Sequence, residues 1–111
     1  MAYVGSQITF SMKFTDSDGD ADPDVVRFLL REEVDGTELE WTYTTSGGAT
    51  TSPTGFSSTI VRDSEGDFHL NHTARKPERH TGTWTGSGTV FQTSQSTVFV
   101  RHSGNSLLDV Y

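Results

Sequence analysis

The chain has 111 residues, enough for one domain of ordinary size with a single modest core. Eight Lys and Arg against fifteen Asp and Glu give a net charge of -7, which disfavours nucleic acid and anionic membranes as partners. No cysteine is present, which excludes disulfides, thiolate zinc sites and a cysteine nucleophile. The first residues resemble no signal peptide and no stretch approaches the ~20 apolar residues of a membrane span, so we expect folding in a cytoplasm.

Apolar and polar residues alternate with a period of two through the first half of the chain, which predicts β-strands. The denser apolar run Val25–Arg31 is typical of a central strand. Asp35-Gly36 favours a hairpin turn, because Gly adopts the positive φ that tight turns require. Two further strands are predicted by alternation. One precedes the central strand and contains Ile8, Phe10, Met12 and Phe14, and the other follows the hairpin turn and contains Leu39, Trp41 and Tyr43.

The second half of the chain predicts further short strands. Ser, Thr, Gly and Pro over Thr44–Gly55 predict a mobile surface loop. Strands are expected at Thr59–Arg62 and Phe68–His72, then around Trp84 as far as Phe91, and finally at Val98–Arg101. Short strands at regular spacing without any helical period predict a β-sandwich or barrel, with Trp41 and Trp84 in its core.

The loop Asp16–Asp24 places carboxylates at every second position, as oxygen-rich calcium loops do. The spacing does not fit an EF-hand, since Ala21 and Arg27 stand where that motif needs Gly and Glu. Two interpretations stay open. Either Asp16, Asp18 and Asp20 bind calcium between strands, or the loop is a hydrated series of Asx turns.

No constellation of catalytic residues is evident, and we expect a protein that is not an enzyme and carries no cofactor other than possible calcium. His69 and His72 lie an odd number of residues apart on one strand, so they point to opposite faces and cannot share a metal ion. No serine stands in a nucleophile elbow, and a thin sandwich offers no cleft for a pair of catalytic carboxylates. Binding is therefore the expected activity.

Two segments are candidates for contact with a partner. The basic residues Arg75, Lys76 and Arg79 are either a solvated loop or a contact point for an acidic protein surface. The C-terminal tail, residues 104–111, is apolar for a chain end, and it either docks on a partner or folds back on its own domain. Its apolar residues are Leu107, Leu108, Val110 and Tyr111.

A series of short motifs follows in a fixed order along the chain: Tyr3-Val4-Gly5, Asp22-Pro23-Asp24-Val25-Val26, Asp35-Gly36-Thr37, Gly66-Asp67-Phe68-His69 and Trp84-Thr85-Gly86-Ser87-Gly88. This series resembles the small immunoglobulin-like proteins encoded among the head and connector genes of tailed bacteriophages and prophages. The resemblance implies an all-β, single-domain immunoglobulin-like β-sandwich over residues 1–103, made in the bacterial host cytoplasm and located in the virion.

The resemblance also implies a role. We expect a virion structural protein, head-associated as a capsid decoration or head–tail connector component, that binds capsid, connector or tail proteins in many copies within a symmetric assembly. The alternative is an immunoglobulin-like adhesion or carbohydrate-binding module on a virion tail or cell surface, in which exposed aromatic rings stack on sugars. The residues available for that stacking are Trp41, Tyr43 and Trp84.

Overall fold

The computed structural model describes residues 2–102, and all regular structure in this range is β-strand. The strands are β1 (Ala2–Tyr3), β2 (Gln7–Lys13), β3 (Thr15–Asp16), β4 (Gly19–Asp20), β5 (Val25–Glu32), β6 (Thr37–Thr44), β7 (Ala49–Thr51), β8 (Val61–Ser64), β9 (Asp67–Thr73), β10 (Glu78–Ser87) and β11 (Gln92–Arg101). Across this described range, no helix is long and apolar enough to cross a membrane.

Two sheets and one small ribbon organise these strands. The large sheet has the order β1-β11-β10-β5-β6-β7, the small sheet has the order β2-β9-β8, and β3 pairs with β4 alone. Neighbours in the large sheet are antiparallel except β1 and β11, which are parallel. The prediction of an all-β sandwich is confirmed, and Val25–Arg31 is the central strand that its apolar density predicted.

The core is centred on one row of aromatic side chains that crosses three strands. Phe28 on β5 is paired in register with Trp84 on one side and Trp41 on the other. Its ring centroid lies 4.7 Å from that of Trp84 and 4.9 Å from that of Phe10, which comes from the small sheet. Phe28 and Trp41 are fully buried and Trp84 is 2% exposed, so the predicted core positions of both tryptophans are confirmed.

Two glycines on β10 leave room for aromatic rings of the core. A Cβ atom at Gly82 would lie 2.6 Å from the Phe28 ring, and one at Gly86 would lie 2.7 Å from the Phe14 ring. Both distances are shorter than real Cβ contacts allow. The Gly-rich sequence of β10 therefore reflects close contact with core rings rather than a turn.

The structure corrects three strand predictions. The segment predicted as a loop contains β7, because Gly47 and Gly48 turn the chain back and Thr51 then pairs with Thr42. The next strand is Val61–Ser64 rather than Thr59–Arg62. β10 ends at Ser87, before the positive φ of Gly88, so Val90 and Phe91 lie in the connection to β11 and do not extend β10.

Candidate functional site

The acidic loop after β2 forms the small β3–β4 hairpin. The Asp16 carboxylate accepts a hydrogen bond from the Asp18 backbone N–H at 2.8 Å, and the Asp20 carboxylate lies 3.6 Å from the Lys13 ammonium. All three aspartates are exposed. Between residues 2 and 102, no group of three or more acidic or histidine side chains is arranged to hold a metal ion. The hydrogen bond from Asp18 to Asp16 is an Asx turn, and calcium binding by Asp16, Asp18 and Asp20 stays a prediction.

Asp22, further along this loop, connects it to the turn between β8 and β9. Its carboxylate lies 2.9 Å from Arg62 Nη2 and accepts the Gly66 backbone N–H at 2.8 Å. Burial raises the pKa of Asp22, but the hydrogen bonds from Arg62 and Gly66 outweigh burial and hold that pKa below its ordinary value. This contact was not predictable from local sequence, because the partners of Asp22 lie 40 and 44 residues away.

Arg75 and Lys76 lie between β9 and β10 and contact Glu32 at the end of β5. Glu32 is fully buried. Its carboxylate accepts hydrogen bonds from Arg75 Nε at 3.0 Å and Arg75 Nη2 at 2.7 Å, while Lys76 Nζ lies 3.3 Å from Oε1. Burial raises the pKa of Glu32, but the hydrogen bonds from Arg75 and Lys76 hold it below its ordinary value.

The predicted basic cluster is therefore divided by the fold. Arg75 and Lys76 neutralise a buried carboxylate, and Lys76 also donates to Asp35 at 2.6 Å, so these two side chains are not a free charged surface. Arg79 lies on β10 and is exposed. Contact of Arg75, Lys76 and Arg79 with an acidic partner stays a prediction.

His72 and His80 point into the sandwich, whereas His69 lies on the opposite face of β9. The exposed fractions of His72 and His80 are 1% and 0%. His69 Nδ1 lies 2.7 Å from the Asp63 carboxylate. Neither ring nitrogen of His72 has a hydrogen-bond partner, and its ring lies edge-on to that of Trp41 at 5.8 Å. The prediction that His69 and His72 point to opposite faces of their strand is confirmed.

The aromatic residues proposed for sugar stacking are in the interior. Trp41 and Trp84 are buried, and Trp41 Nε1 donates to the Ser58 carbonyl at 3.1 Å. Tyr43 is partly buried and packs edge-on against Phe68 at 5.4 Å between ring centroids. Rings covered in this way offer no face to a sugar, so the assignment of a stacking platform to these residues is wrong.

The three most exposed large apolar side chains of the described residues instead lie near β11 and in the β5–β6 turn. Phe91 is 80% exposed, Phe99 is 56% exposed and Val34 is 48% exposed. A shallow groove of about 550 Å³ is lined by Val34, Phe99 and the charged residues Glu33, Glu78 and Arg79. A second depression, of about 200 Å³, lies on the other side of Phe99.

Leu107, Leu108, Val110 and Tyr111 lie outside the described residues. The boundary predicted between the sandwich at residues 1–103 and the tail at residues 104–111 falls at the end of the described range. Of the residues predicted to contact a partner, the structure thus describes only Arg75, Lys76 and Arg79. It adds Val34, Phe91 and Phe99, for which the only sequence signal was an apolar residue at an outward position of a strand or turn.

No protein-family model and no curated protein matches the sequence. Among solved structures, the chain is similar to the extracellular portion of mouse CD200RLa, with a TM-score of 0.56 and 6% sequence identity. The alignment covers 91% of this chain and 52% of that chain, so the present chain spans about half the length of that structure. Identity this low shows the fold alone, and the fold is an immunoglobulin-like β-sandwich.

Proposed function

We propose that the chain is a non-enzymatic structural protein of a tailed-phage virion that binds other virion proteins. We assign it to the head, as a capsid decoration or a head–tail connector component. The ordered motifs along the sequence support the phage assignment, and the immunoglobulin-like sandwich is compatible with it. The observation that carries the binding role is the groove between Val34 and Phe99.

The composition of this groove is that of a protein-binding surface. Val34 and Phe99 supply exposed apolar area, and Glu33, Glu78 and Arg79 line the same depression with charge. Apolar centres surrounded by polar rims are typical of interfaces between proteins. Aromatic residues held on a rigid sheet are also common anchors of binding energy, since little conformational freedom is lost when they are covered.

A role without catalysis agrees with the positions of the titratable side chains. His72 and His80 are enclosed in the core, where no substrate reaches them. Glu32 is occupied by Arg75 and Lys76 in ion pairs. The remaining charges described here are mostly exposed, and the net charge of -7 favours basic surfaces on the partner over acidic ones.

Assembly in cells tests the proposal. The tagged full chain is co-expressed with the genes that flank its own gene, among which the proposal expects capsid, portal or connector genes, and particles are purified by density gradient. We expect the chain to sediment with particles and Val34→Asp to lower its incorporation roughly tenfold or more, as loss of an apolar anchor does. Val61→Asp, at an apolar side chain of similar exposure on β8, is the matched control and should be incorporated normally. A wild-type chain that never accompanies any particle protein contradicts the proposal.

A further inference from the structure

The outer edge of the large sheet is open along most of β11. β1 covers this edge only at its end, where Ala2 pairs with Val100 and Tyr3 pairs with Arg101. Along Gln92–Phe99, no strand of the described chain pairs with the outer side. An open edge presents unpaired backbone N–H and C=O groups and favours pairing with another strand.

The orientation of the backbone along this edge follows from two hydrogen bonds. On the outer side of β11, the Arg101 C=O accepts a hydrogen bond from the Val4 N–H. On β10, the Arg79 C=O accepts a hydrogen bond from the Glu33 N–H on the side that faces away from β11. Because successive residues of a strand direct their backbone groups to opposite sides, Thr93, Gln95 and Thr97 direct theirs outward. These residues therefore present three N–H and three C=O groups to a strand added at the edge.

β11 also lacks the features that usually protect an edge. No charged residue and no proline occurs between Gln92 and Phe99. The other edges differ, since β7 has only three residues, β8 carries Arg62 and Asp63, and β2 ends in Lys13. Short edge strands and charged side chains are the common ways to prevent edge pairing. Among the described edges, β11 is thus the one suited to binding a strand.

The sequence of the edge favours a second copy of this chain as its partner, because it reads almost the same in both directions from Gln95. Ser94 mirrors Ser96, Thr93 mirrors Thr97, and at the ends the exposed Phe91 mirrors the exposed Phe99. The one mismatched pair is Gln92 and Val98. Antiparallel pairing of two copies about Gln95 would place Thr opposite Thr and Phe opposite Phe, and cross-strand pairs of these kinds stabilise a sheet.

We propose that β11 pairs antiparallel with β11 of a second copy of this chain, with the two-fold axis at Gln95. The two large sheets then form one continuous sheet. In this register the outward-directed backbone groups of Thr93, Gln95 and Thr97 meet those of Thr97, Gln95 and Thr93 in the second copy. At each end Phe91 of one copy lies beside Phe99 of the other. The inference rests on the edge itself and does not depend on a virion role.

Sedimentation of the purified full chain over a dilution series up to near-millimolar concentration tests the pairing. An interface made by one strand and two aromatic pairs falls below about 1,200 Å² in total, the range of weak complexes, so we expect a monomer–dimer equilibrium without larger species. Gln95→Lys places two like charges at the axis and should weaken the dimer roughly tenfold or more. Thr50→Lys on β7, at the opposite edge of the same sheet, should not. A wild-type chain that stays monomeric throughout overturns the proposal, as does equal weakening by both variants.

Pairing two variants of opposite charge at Gln95 shows whether a weakened dimer results from repulsion at the two-fold axis or from a general loss of solubility or folding. Gln95→Glu alone should weaken the dimer as Gln95→Lys does. A mixture of the two variants should regain a dimer at least roughly tenfold tighter than either variant forms alone, because the axis then holds opposite charges. Failure of the mixture to dimerise, with both variants folded by circular dichroism, argues against an axis at Gln95.

Cysteine cross-linking tests the register, and the chain contains no native cysteine to interfere. Gln95→Cys should cross-link to its own copy with a short thiol-reactive linker. Thr93→Cys alone should not, whereas a mixture of Thr93→Cys and Thr97→Cys should, because these positions face each other across the axis. Efficient cross-linking of Thr93→Cys to itself would overturn this register.

The alternative occupant to be tested is the C-terminal segment of the same chain. Sedimentation of a variant lacking residues 105–111 distinguishes it from a second copy. If the full chain is monomeric and the shortened chain dimerises, the tail covers the edge and the proposal is wrong. If both dimerise with similar affinity, the second copy is the occupant.

Discussion

The guanidinium of Arg75 donates two hydrogen bonds, at 2.7 and 3.0 Å, to the carboxylate of Glu32, which is fully buried. Lys76 adds a second cation 3.3 Å from the same carboxylate. A buried carboxylate is tolerated only with such partners, because its loss of hydration is costly. This pair therefore fixes the connection between β9 and β10 against the end of β5.

Removal of the Arg75 guanidinium should destabilise the domain. Breaking a fully buried ion pair costs about 3–5 kcal/mol, and we expect roughly 1–3 kcal/mol for Arg75→Ala, because Arg75 is partly exposed and Lys76 remains beside Glu32. Urea unfolding followed by tryptophan fluorescence measures the change. Arg27→Ala is the matched control, since Arg27 pairs with Glu40 on the surface at 3.4 Å. Equal losses for both variants would show that the buried carboxylate does not depend on Arg75.

The burial of His72 predicts a dependence of stability on pH. Burial among apolar side chains lowers the pKa of His72 below its ordinary value near 6.5, so the unfolded chain binds a proton more readily than the folded chain. The contribution of neutral His72 to the free energy of unfolding is thus fully present at pH values above that ordinary pKa. It is lost as the pH falls toward the pKa of the folded state, by at most about 1.4 kcal/mol per pH unit.

His72→Phe tests this dependence with an apolar ring of similar shape. The unfolding free energy of the wild type should fall between about pH 7 and pH 5, a range above the titration of the carboxylates, and that of His72→Phe should fall less. At neutral pH the variant should be at least as stable, since it removes two unpartnered buried nitrogens. Identical slopes for the wild type and His72→Phe would contradict the prediction.

Gly82 should not tolerate a methyl group. The added Cβ would lie 2.6 Å from Cζ of Phe28, a ring that is fully buried and has no free space to move into. Overpacking of a core costs about 1–3 kcal/mol, and we expect Gly82→Ala to fall in this range by thermal and urea unfolding. Thr83→Ala, one residue further along β10, changes an outward side chain and should cost less than about 1 kcal/mol. A fully stable Gly82→Ala variant would show that the Phe28 ring can shift to make room for the methyl group.

The fold was predictable where side chains alternate between core and solvent. Val26, Phe28 and Leu30 on β5 are all fully buried, as their spacing on the strand predicted. β7 was not predictable in this way, because all three of its residues are exposed and the segment has no apolar alternation. Its pairing with β6 depends on the turn at Gly47 and Gly48, whose positive φ angles a loop of this composition does not reveal.

The contacts of charged residues were less predictable than the strands. The two main ion pairs join residues 40 and 43 positions apart, and nothing in the local sequence links Asp22 to Arg62 or Glu32 to Arg75. Clustering of basic residues in sequence indicated a free surface, yet the fold places Arg75 and Lys76 on a buried carboxylate. The near-palindromic sequence of β11 can be read from the chain, but it indicates a partner only once that strand is known to lie at an open edge.

The contact between Asp22 and Arg62 gives the last prediction, which concerns the role of the acidic loop. The Asp22 carboxylate is held by Arg62 and by the Gly66 N–H, and its lowered pKa means that it stabilises the folded state when ionised, with this contribution lost as the pH falls through that pKa. Asp22→Ala should cost about 1–3 kcal/mol near neutral pH, since it removes hydrogen bonds to a charged group that is largely covered.

Asp18→Ala is the matched control for Asp22→Ala, because Asp18 lies in the same loop and its side chain is exposed. Asp18→Ala should leave the unfolding midpoint unchanged. The difference in unfolding free energy between the two variants should shrink in strong acid, because Asp22 is then protonated in both the folded and the unfolded chain. If the loop instead depends on a bound cation, calcium will raise the melting temperature of the wild type and Asp18→Ala will abolish that rise. Equal stability of Asp22→Ala and the wild type would mean that the loop is held without Arg62 and Gly66.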